Sequence, residues 1–525
     1  MSNYDVIIIG GGHNGLVAAA TLAKAGQKVL VVERRYTLGG SAATEEVWPG
    51  FKVNTGAVDA GLFHPKIIED LDLKRFGFEF IETPINLISL QKNGAHLVLW
   101  HEIERSLTEI ANFSKKDAEK FPGFIELISK FTRILNGINF MTPPDVVNSS
   151  FTELLPWLKT SLRLKRLGKS EMMEFMRVLP MTAQQFLDEW FESDALKGAL
   201  ASSAVKGSMQ GPQASGTSFM MLYHWLQTQN GCLQPNKFVR GGIGILSSAL
   251  AKAAESYGVE IRTDAEVEVI LTDDSQAHGI VLSDGIEVRS KKIVSSADPY
   301  RTFINLVGAP NFGPQFVRKV RNIRFRGSTA KLNLALNDLP QFKGMEDNPE
   351  YLRGHILLNP SLEYLEKGYD DAKYGSFSHN PVLDIVIPTV LDSSLAPESK
   401  HIMSITMQYA PYNLRETNWA EMGDKLTDRI IEVISEYAPK LKDIILHKQM
   451  ITPLDLETEY GLTEGSIYHG QMGLDQLLFM RPVAGFGQYR TPIKNLYLCG
   501  SGTHPGGGVT GIPGFNAARE VLKDK

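Results

Sequence analysis

The run Gly10-Gly11-Gly12-His13-Asn14-Gly15 is the first place in this sequence where residue types and spacing could do chemistry. Glycines at its first, third and sixth positions form a GxGxxG pattern. Gly10 permits a tight turn, Gly12 lets the backbone approach a pyrophosphate, and Gly15 lets a following helix pack closely on a strand. A helix starting here presents free N–H groups to an anion. His13 and Asn14 lie inside the turn and are taken as contacts on the cofactor side. Glu33 follows Gly12 by about 20 positions, the spacing expected of the acid in such a unit. There its carboxylate can accept from both hydroxyls of an adenosine ribose, and it would repel a 2′-phosphate, which disfavours NADP. Arg34, beside it, joins the same cofactor-binding set.

A second glycine-rich turn lies near the other end of the chain. Gly500 ends a short apolar run, and Gly502, Gly506, Gly507, Gly508, Gly511 and Gly514 follow within a few residues. Such density after a strand means backbone packed against a ligand. Two turns of this kind suggest one cofactor gripped twice, and the cofactor expected is FAD. The first turn would hold the pyrophosphate. The second, through Gly500, Ser501, Gly511 and Ile512, would hold the ribityl chain and set a helix N-terminus near the flavin N1–C2=O edge, where its positive end favours the reduced, anionic ring. Gly39-Gly40 is a further sign, since FAD enzymes of the glutathione-reductase-like class often carry such a pair there. His504 sits inside the second turn. It could donate to the flavin or act as a base; bracing the turn is the other reading.

The elements needed to position these residues are legible around them. Val6–Ile9 and Val29–Val32 are short β-branched runs of the kind found in buried parallel strands. Between them Leu16–Ala25 is an alanine-rich helix ended by Gly26. After VRGGIG (239–244), a helix over Leu246–Tyr257 is followed by strands at Val259–Arg262, Glu266–Leu271 and within 286–297. Val267 is placed there as a backbone contact to the adenine, with sheet core as the alternative. Leu496–Cys499 is another buried strand. The expected architecture is α/β: a glutathione-reductase-like, FAD-binding Rossmann domain with a parallel sheet, built from 1–83, 236–299 and 486–525. An interleaved α+β substrate domain with a helical cap would take 84–235 and 300–485. Its expected elements include helices at Thr182–Trp190 and Asp424–Tyr437 and strands at Lys331–Leu336 and Leu383–Ile387.

Composition narrows the class. At 525 residues the chain exceeds the size at which single cores stop growing, about 250–300 residues, so more than one domain is expected. A formal charge of −5 argues against a nucleic-acid binder. Cys232 and Cys499 are the only cysteines and form no CxxC, which removes a redox dithiol and any cysteine-rich metal site, so no metal is expected. No stretch reaches the ~18–20 apolar residues of a spanning helix, and no signal peptide is visible, so a cytoplasmic protein is expected. Residues 154–170 carry Lys159, Arg163, Lys165, Arg166 and Lys169 among apolar neighbours. They read either as an interfacial helix making peripheral membrane contact or as a solvated basic face.

With these residues in view, the chain resembles the phytoene desaturase and carotenoid isomerase group of flavoproteins, on GTHPGGG (502–508). It resembles more closely still the branch typified by pyridine nucleotide-disulfide oxidoreductase domain-containing protein 2, on GGGHNGLVAAA, FLDEWFESDALKGALA, GLTEGSIYHG and LYLCGSGTHPGGGVTGIPGFNAA. The resemblance runs from Asp5 to about Ala518. It implies an FAD-dependent oxidoreductase moving hydride from a hydrophobic, polyene- or isoprenoid-like small molecule to flavin N5, with oxygen, a quinone or another acceptor taking the electrons. A mitochondrial matrix location is compatible with it, although no transit peptide is seen, and so is a homo-oligomer. His469, in GSIYHGQ, matches a branch motif and becomes the second candidate catalytic residue, with a structural role as the alternative. Ser41 stands where many relatives have arginine, and Ser501 where many have an acid for the ribityl hydroxyl. Three other functions fit the same architecture: a flavin amine oxidase, a redox-neutral polyene isomerase, and a flavin-binding regulatory protein with little turnover.

Overall fold

The computed structural model describes residues 4–145, 157–158, 168–228, 231–233, 236–346 and 348–524. Most of the basic segment 154–170 lies outside the described residues. Among those described, no helix is long and apolar enough to cross a membrane.

The β-branched runs at the N-terminus lie at the centre of a seven-stranded sheet. Tyr4–Ile9 pairs in parallel with Val29–Val32 on one side (Ile8 opposite Val31) and with Glu287–Ser295 on the other (Ile7 opposite Ile293). Glu260–Arg262 and Leu496–Leu498 extend the parallel part outward. Both faces of these strands are covered, which is why they read as unbroken apolar runs rather than alternating ones. On one face Val6, Ile8, Val29 and Val31 meet Leu16, Leu246 and Ala517 from helices His13–Lys24, Gly244–Ser256 and Ile512–Lys523. On the other, Ile7, Leu30 and Ile293 meet Ile270 and Ile280 of the antiparallel strands Val267–Asp273 and Gln276–Leu282. Phe303, Phe312 and Phe316 pack into that same core. They come from beyond residue 299, the boundary expected from sequence. Each fully buried aliphatic side chain here contributes about 1.5–3 kcal/mol.

A second seven-stranded, mixed sheet runs in the order Ile445–Ile451, Thr329–Leu336, His401–Gln408, Val382–Val386, His355–Leu358, Ile85–Leu90, His96–Trp100. Its strands alternate. Leu332, Leu334, Ile405, Met407 and Ile385 pack on Leu426, Ile430 and Ile434 of the helix Trp419–Tyr437. That helix begins five residues before the expected Asp424, because the Asn418 side chain accepts from the Glu421 N–H at 3.1 Å and caps it there. The opposite sheet face carries Thr329, Lys331, Asp384, His355 and Gln408 and is nonetheless largely enclosed. Over it lies a helical layer of Lys115–Asn139, Ala183–Trp190, Asp194–Val205 and Thr217–His224, joined through Phe124, Phe186, Leu200 and Met221. Asp117 ties two of these helices together by accepting from the Glu192 and Ser193 N–H groups at 2.9 and 2.8 Å.

Candidate functional site

The two glycine-rich turns meet. A cleft along the C-terminal edge of the parallel strands is lined by Gly10, Gly12, His13, Asn14, Glu33, Arg34, Gly39, Gly40, Ser41 and Val267 from one side of the sequence and by Ser501 from the other. Asn14 Nδ2 donates to Ser501 Oγ at 3.4 Å, across 487 positions of chain. Gly15 lies behind the cleft, packed against the Gly10 carbonyl. Gly500 is packed against Ser296 and His469, while Gly511 and Ile512 open the last helix against Phe63 and Ile67.

Glu33 is buried, and both its oxygens accept backbone N–H groups, from Gly11 at 2.7 Å and Arg35 at 2.9 Å. Each oxygen keeps a further lone pair for a ligand hydroxyl. Burial, with a contribution from His469, lowers the His13 pKa to about 4. Burial and the cations Arg481 and Arg301 lower that of His469 to about 3. Both imidazoles are therefore neutral at pH 7. His13 Nδ1 and Nε2, Asn14 Oδ1 and His469 Nδ1 are all buried without a protein partner. Polar atoms left so are expected to face a ligand.

Arg301 is a lining residue that sequence reasoning missed. A Cβ placed at Gly461 would lie 3.4 Å from Arg301 Cζ and 3.6 Å from Arg34 Cζ, so two guanidinium groups converge on one glycine. Arg34 is anchored to the carbonyls of Thr458 and Glu459, and burial together with Arg301 lowers its pKa. Arg301 Nε is buried and unpartnered. Converging cations with donors to spare call for an anion, and in a glycine-lined cleft that also holds the buried carboxylate of Glu33 the anion that fits is a dinucleotide diphosphate. Orphaned ring nitrogens, open glycine backbone and this cation pair together fit a bound dinucleotide. The only signal for Arg301 in sequence is its place just after the returning strand, in SSADPYR.

His504 is not brought to the cleft, which corrects the expectation that it lies beside the cofactor. Its Nε2 is 3.2 Å from the Ile138 carbonyl oxygen, its own carbonyl accepts from Tyr489, and it lines neither the cleft nor the cavities beyond. The geometry makes it a brace between the turn and the end of helix Lys115–Asn139. His469 does line the cleft, but as a neutral imidazole too weakly basic to hold a proton near pH 7. Arg481 is fully buried and donates to the carbonyls of Ser501, Tyr468 and Gly470, holding the second turn to the His469 segment.

Beyond the cleft a second cavity begins. It shares His13, Ser41, Tyr460, Leu462, Ile467 and Ser501 with the cleft and continues past Val58, Leu62, Tyr468 and Val509. On its wall stands Lys331, a buried amine that sequence reasoning did not single out. Its Nζ donates to the carbonyls of Asn54 and Gly56, and burial lowers its pKa to about 7. Its proton affinity thus lies closer to neutrality than that of His469 or His504, whose burial holds them at about 3 and 4.

Comparison with known proteins fits this arrangement. The family model described as flavin containing amine oxidoreductase matches residues 15–522. Over 543 aligned positions the sequence is 35% identical to pyridine nucleotide-disulfide oxidoreductase domain-containing protein 2 of Rattus norvegicus, covering 99% of this chain and 94% of that one. It is 30% identical over 540 positions to one of the limonene dehydrogenase polypeptides of Castellaniella defragrans, with 99% and 94% covered. The fold is similar to that of a solved oxidoreductase from Methanosarcina mazei, with a TM-score of 0.62 at 15% identity over 99% of this chain and 100% of the other.

Proposed function

This chain belongs to the flavin-containing amine oxidoreductase family and is an FAD-dependent oxidoreductase; from that premise we propose that it dehydrogenates a hydrophobic small molecule held in the cavity beyond the cofactor cleft. The observation that carries the reading is the continuity of the two spaces: residues that line the cleft also line a cavity walled by Val58, Leu62, Tyr468 and Val509. The limonene dehydrogenase polypeptide, by its name a relative concerned with a hydrocarbon, points the same way. The nucleotide half is taken as the glutathione-reductase-like form of the Rossmann fold, on its parallel strand pairing and on Glu33.

When bound, FAD supplies a two-electron acceptor for a C–H bond. The chain's own residues do the rest. Gly10, Gly12 and the start of helix His13–Lys24 receive the diphosphate, with Arg34 and Arg301 as counter-cations. Glu33 holds the ribose, Val267 borders the adenine, and Ser41, Gly39 and Gly40 bound the cleft. Ser501 and Asn14 join the two turns at the end next to the substrate cavity. The apolar walls exclude water and orient the substrate, and Lys331 Nζ accepts the proton that leaves with the electrons.

The test is anaerobic mixing of FAD-loaded enzyme with limonene, a linear polyene and a series of primary amines. Loss of the yellow oxidised-flavin band with an apolar compound is expected. Bleaching by amines alone would replace this reading with an amine oxidase. A second expectation concerns Arg301. Arg301→Ala should weaken FAD binding to the apoprotein by about 10- to 100-fold, the worth of one charge-assisted hydrogen bond of roughly 1.5–3 kcal/mol. Arg301→Lys should recover part of it. Flavin fluorescence titration of the apoprotein reads both, and an unchanged affinity for the alanine variant would assign Arg301 elsewhere.

A further inference from the structure

We infer that the far end of the substrate cavity is a binding site for an uncharged hydroxyl, so that the molecule oxidised is amphipathic, with an apolar body and an alcohol end. This rests on the reading above that the cavity takes an apolar substrate. A third space, bounded by His355, Asn359, Asp59, Asp384 and Lys206, joins the second through Asp59, Lys206, His224, Asp384 and Thr406. It therefore continues the route that begins at the cofactor cleft.

Two buried side chains at this end present atoms with nothing to bind. His355 is 6% exposed, and its Nδ1 lies 2.6 Å from Asp384 Oδ1. Its other ring nitrogen, Nε2, has no hydrogen-bond partner and lies 3.9 Å from Asp59 Oδ2. Asn359 is 1% exposed and gives its Nδ2 to the Gly198 carbonyl at 3.1 Å, which leaves Oδ1 unpartnered. Both residues line this same space. Two neighbouring polar side chains are already engaged. His224 bonds Tyr468 and the Met220 carbonyl, and Gln408 bonds Gly207, Ser208 and Ser328.

A hydroxyl can donate to Asn359 Oδ1 and, being both donor and acceptor, can meet His355 Nε2. The walls of this space carry charges of both signs, Asp59 and Asp384 against Lys206, whose Nζ lies 3.8 Å from Asp384 Oδ2, so an ion of either sign meets a like charge. An alcohol end meets both atoms without adding charge, while Leu87, Leu200, Val205 and Leu357 complete an apolar surround for the carbon beside it.

The experiment uses FAD-loaded enzyme and four probes of one chain length: 1-octanol, octane, octylamine and octanoate. Binding is read by quenching of tryptophan fluorescence, since Trp225 lines this space. Octanol is expected to bind about tenfold more tightly than each of the others. His355→Phe and Asn359→Leu should each weaken octanol by roughly two- to tenfold and leave octane unchanged; the second variant serves if the first does not fold. Equal or tighter binding of octane or of either ion, binding of none of the four, or equal effects of the variants on octane and octanol would overturn the proposal. Flavin bleaching by hydrocarbons with no octanol preference would sink this inference alone. Octanol preference with no apolar compound bleaching the flavin would instead sink the substrate reading it extends.

Discussion

Gly514→Ala is expected to yield a protein that no longer retains FAD. A Cβ at this position would sit 2.0 Å from the Asn14 carbonyl oxygen and 2.9 Å from its carbonyl carbon. The clash is with backbone, so no rotamer relieves it; the helices His13–Lys24 and Ile512–Lys523 must move apart. That separation opens the join between Asn14 and Ser501, the hydrogen bond that links the side chains of the two turns lining the cleft. Overpacking of this kind costs about 1–3 kcal/mol and occasionally more, and 1.4 kcal/mol corresponds to about tenfold in affinity. Flavin per protein after purification should fall by about tenfold or more, with a lower Tm. Gly423→Ala is the control: its Cβ meets nothing closer than Thr452 Cγ2 at 3.8 Å, within the helix Trp419–Tyr437. A Gly514→Ala protein with full flavin content and the parent Tm would show that the two turns do not need this contact to form one cleft.

The second large effect is expected at Lys331. Burial holds its amine at about 7, well below the ordinary lysine value of 10.5. Above pH 7 the amine is mostly neutral and can accept a proton; below it the amine is charged and cannot. Flavin reduction by whichever compound bleaches it fastest should therefore rise with pH through about 7 and then level. Lys331→Met should slow that step by about 10²- to 10⁴-fold, the range for a lost general base, and flatten the pH profile. Anaerobic stopped-flow absorbance at several pH values measures both, with FAD content as the check on folding. A slow variant that keeps the parent pH profile would place the titrating group elsewhere and reduce Lys331 to a structural role.

The catalytic candidates read from sequence and those placed in the cavity differ for an identifiable reason. His504 attracts notice because it lies within the glycine turn, but nearness in sequence does not set side-chain direction, and the turn sends its ring toward Ile138. Lys331 escapes notice because Thr329, Lys331 and Asn333 alternate with Ala330, Leu332 and Leu334. That pattern describes any strand with one apolar face. It does not distinguish a polar face open to solvent from one that lines an enclosed cavity. His355 and Asp384, on neighbouring strands 29 positions apart, carry no mutual signal at all until the sheet pairs them.

Local features were therefore legible in the sequence alone: the glycine turns, the acid Glu33 at the end of its strand, the buried strands beside them and, through these, the flavin. Those features act over a few consecutive residues, where backbone conformation and spacing are dictated by the residues themselves. The meeting of Asn14 with Ser501, the convergence of Arg34 and Arg301, and the enclosure of Lys331 and His355 were decided only by tertiary structure. Each depends on which faces of distant elements pack together, and burial, which sets both proton affinity and the unmet hydrogen bonds, exists only once they have.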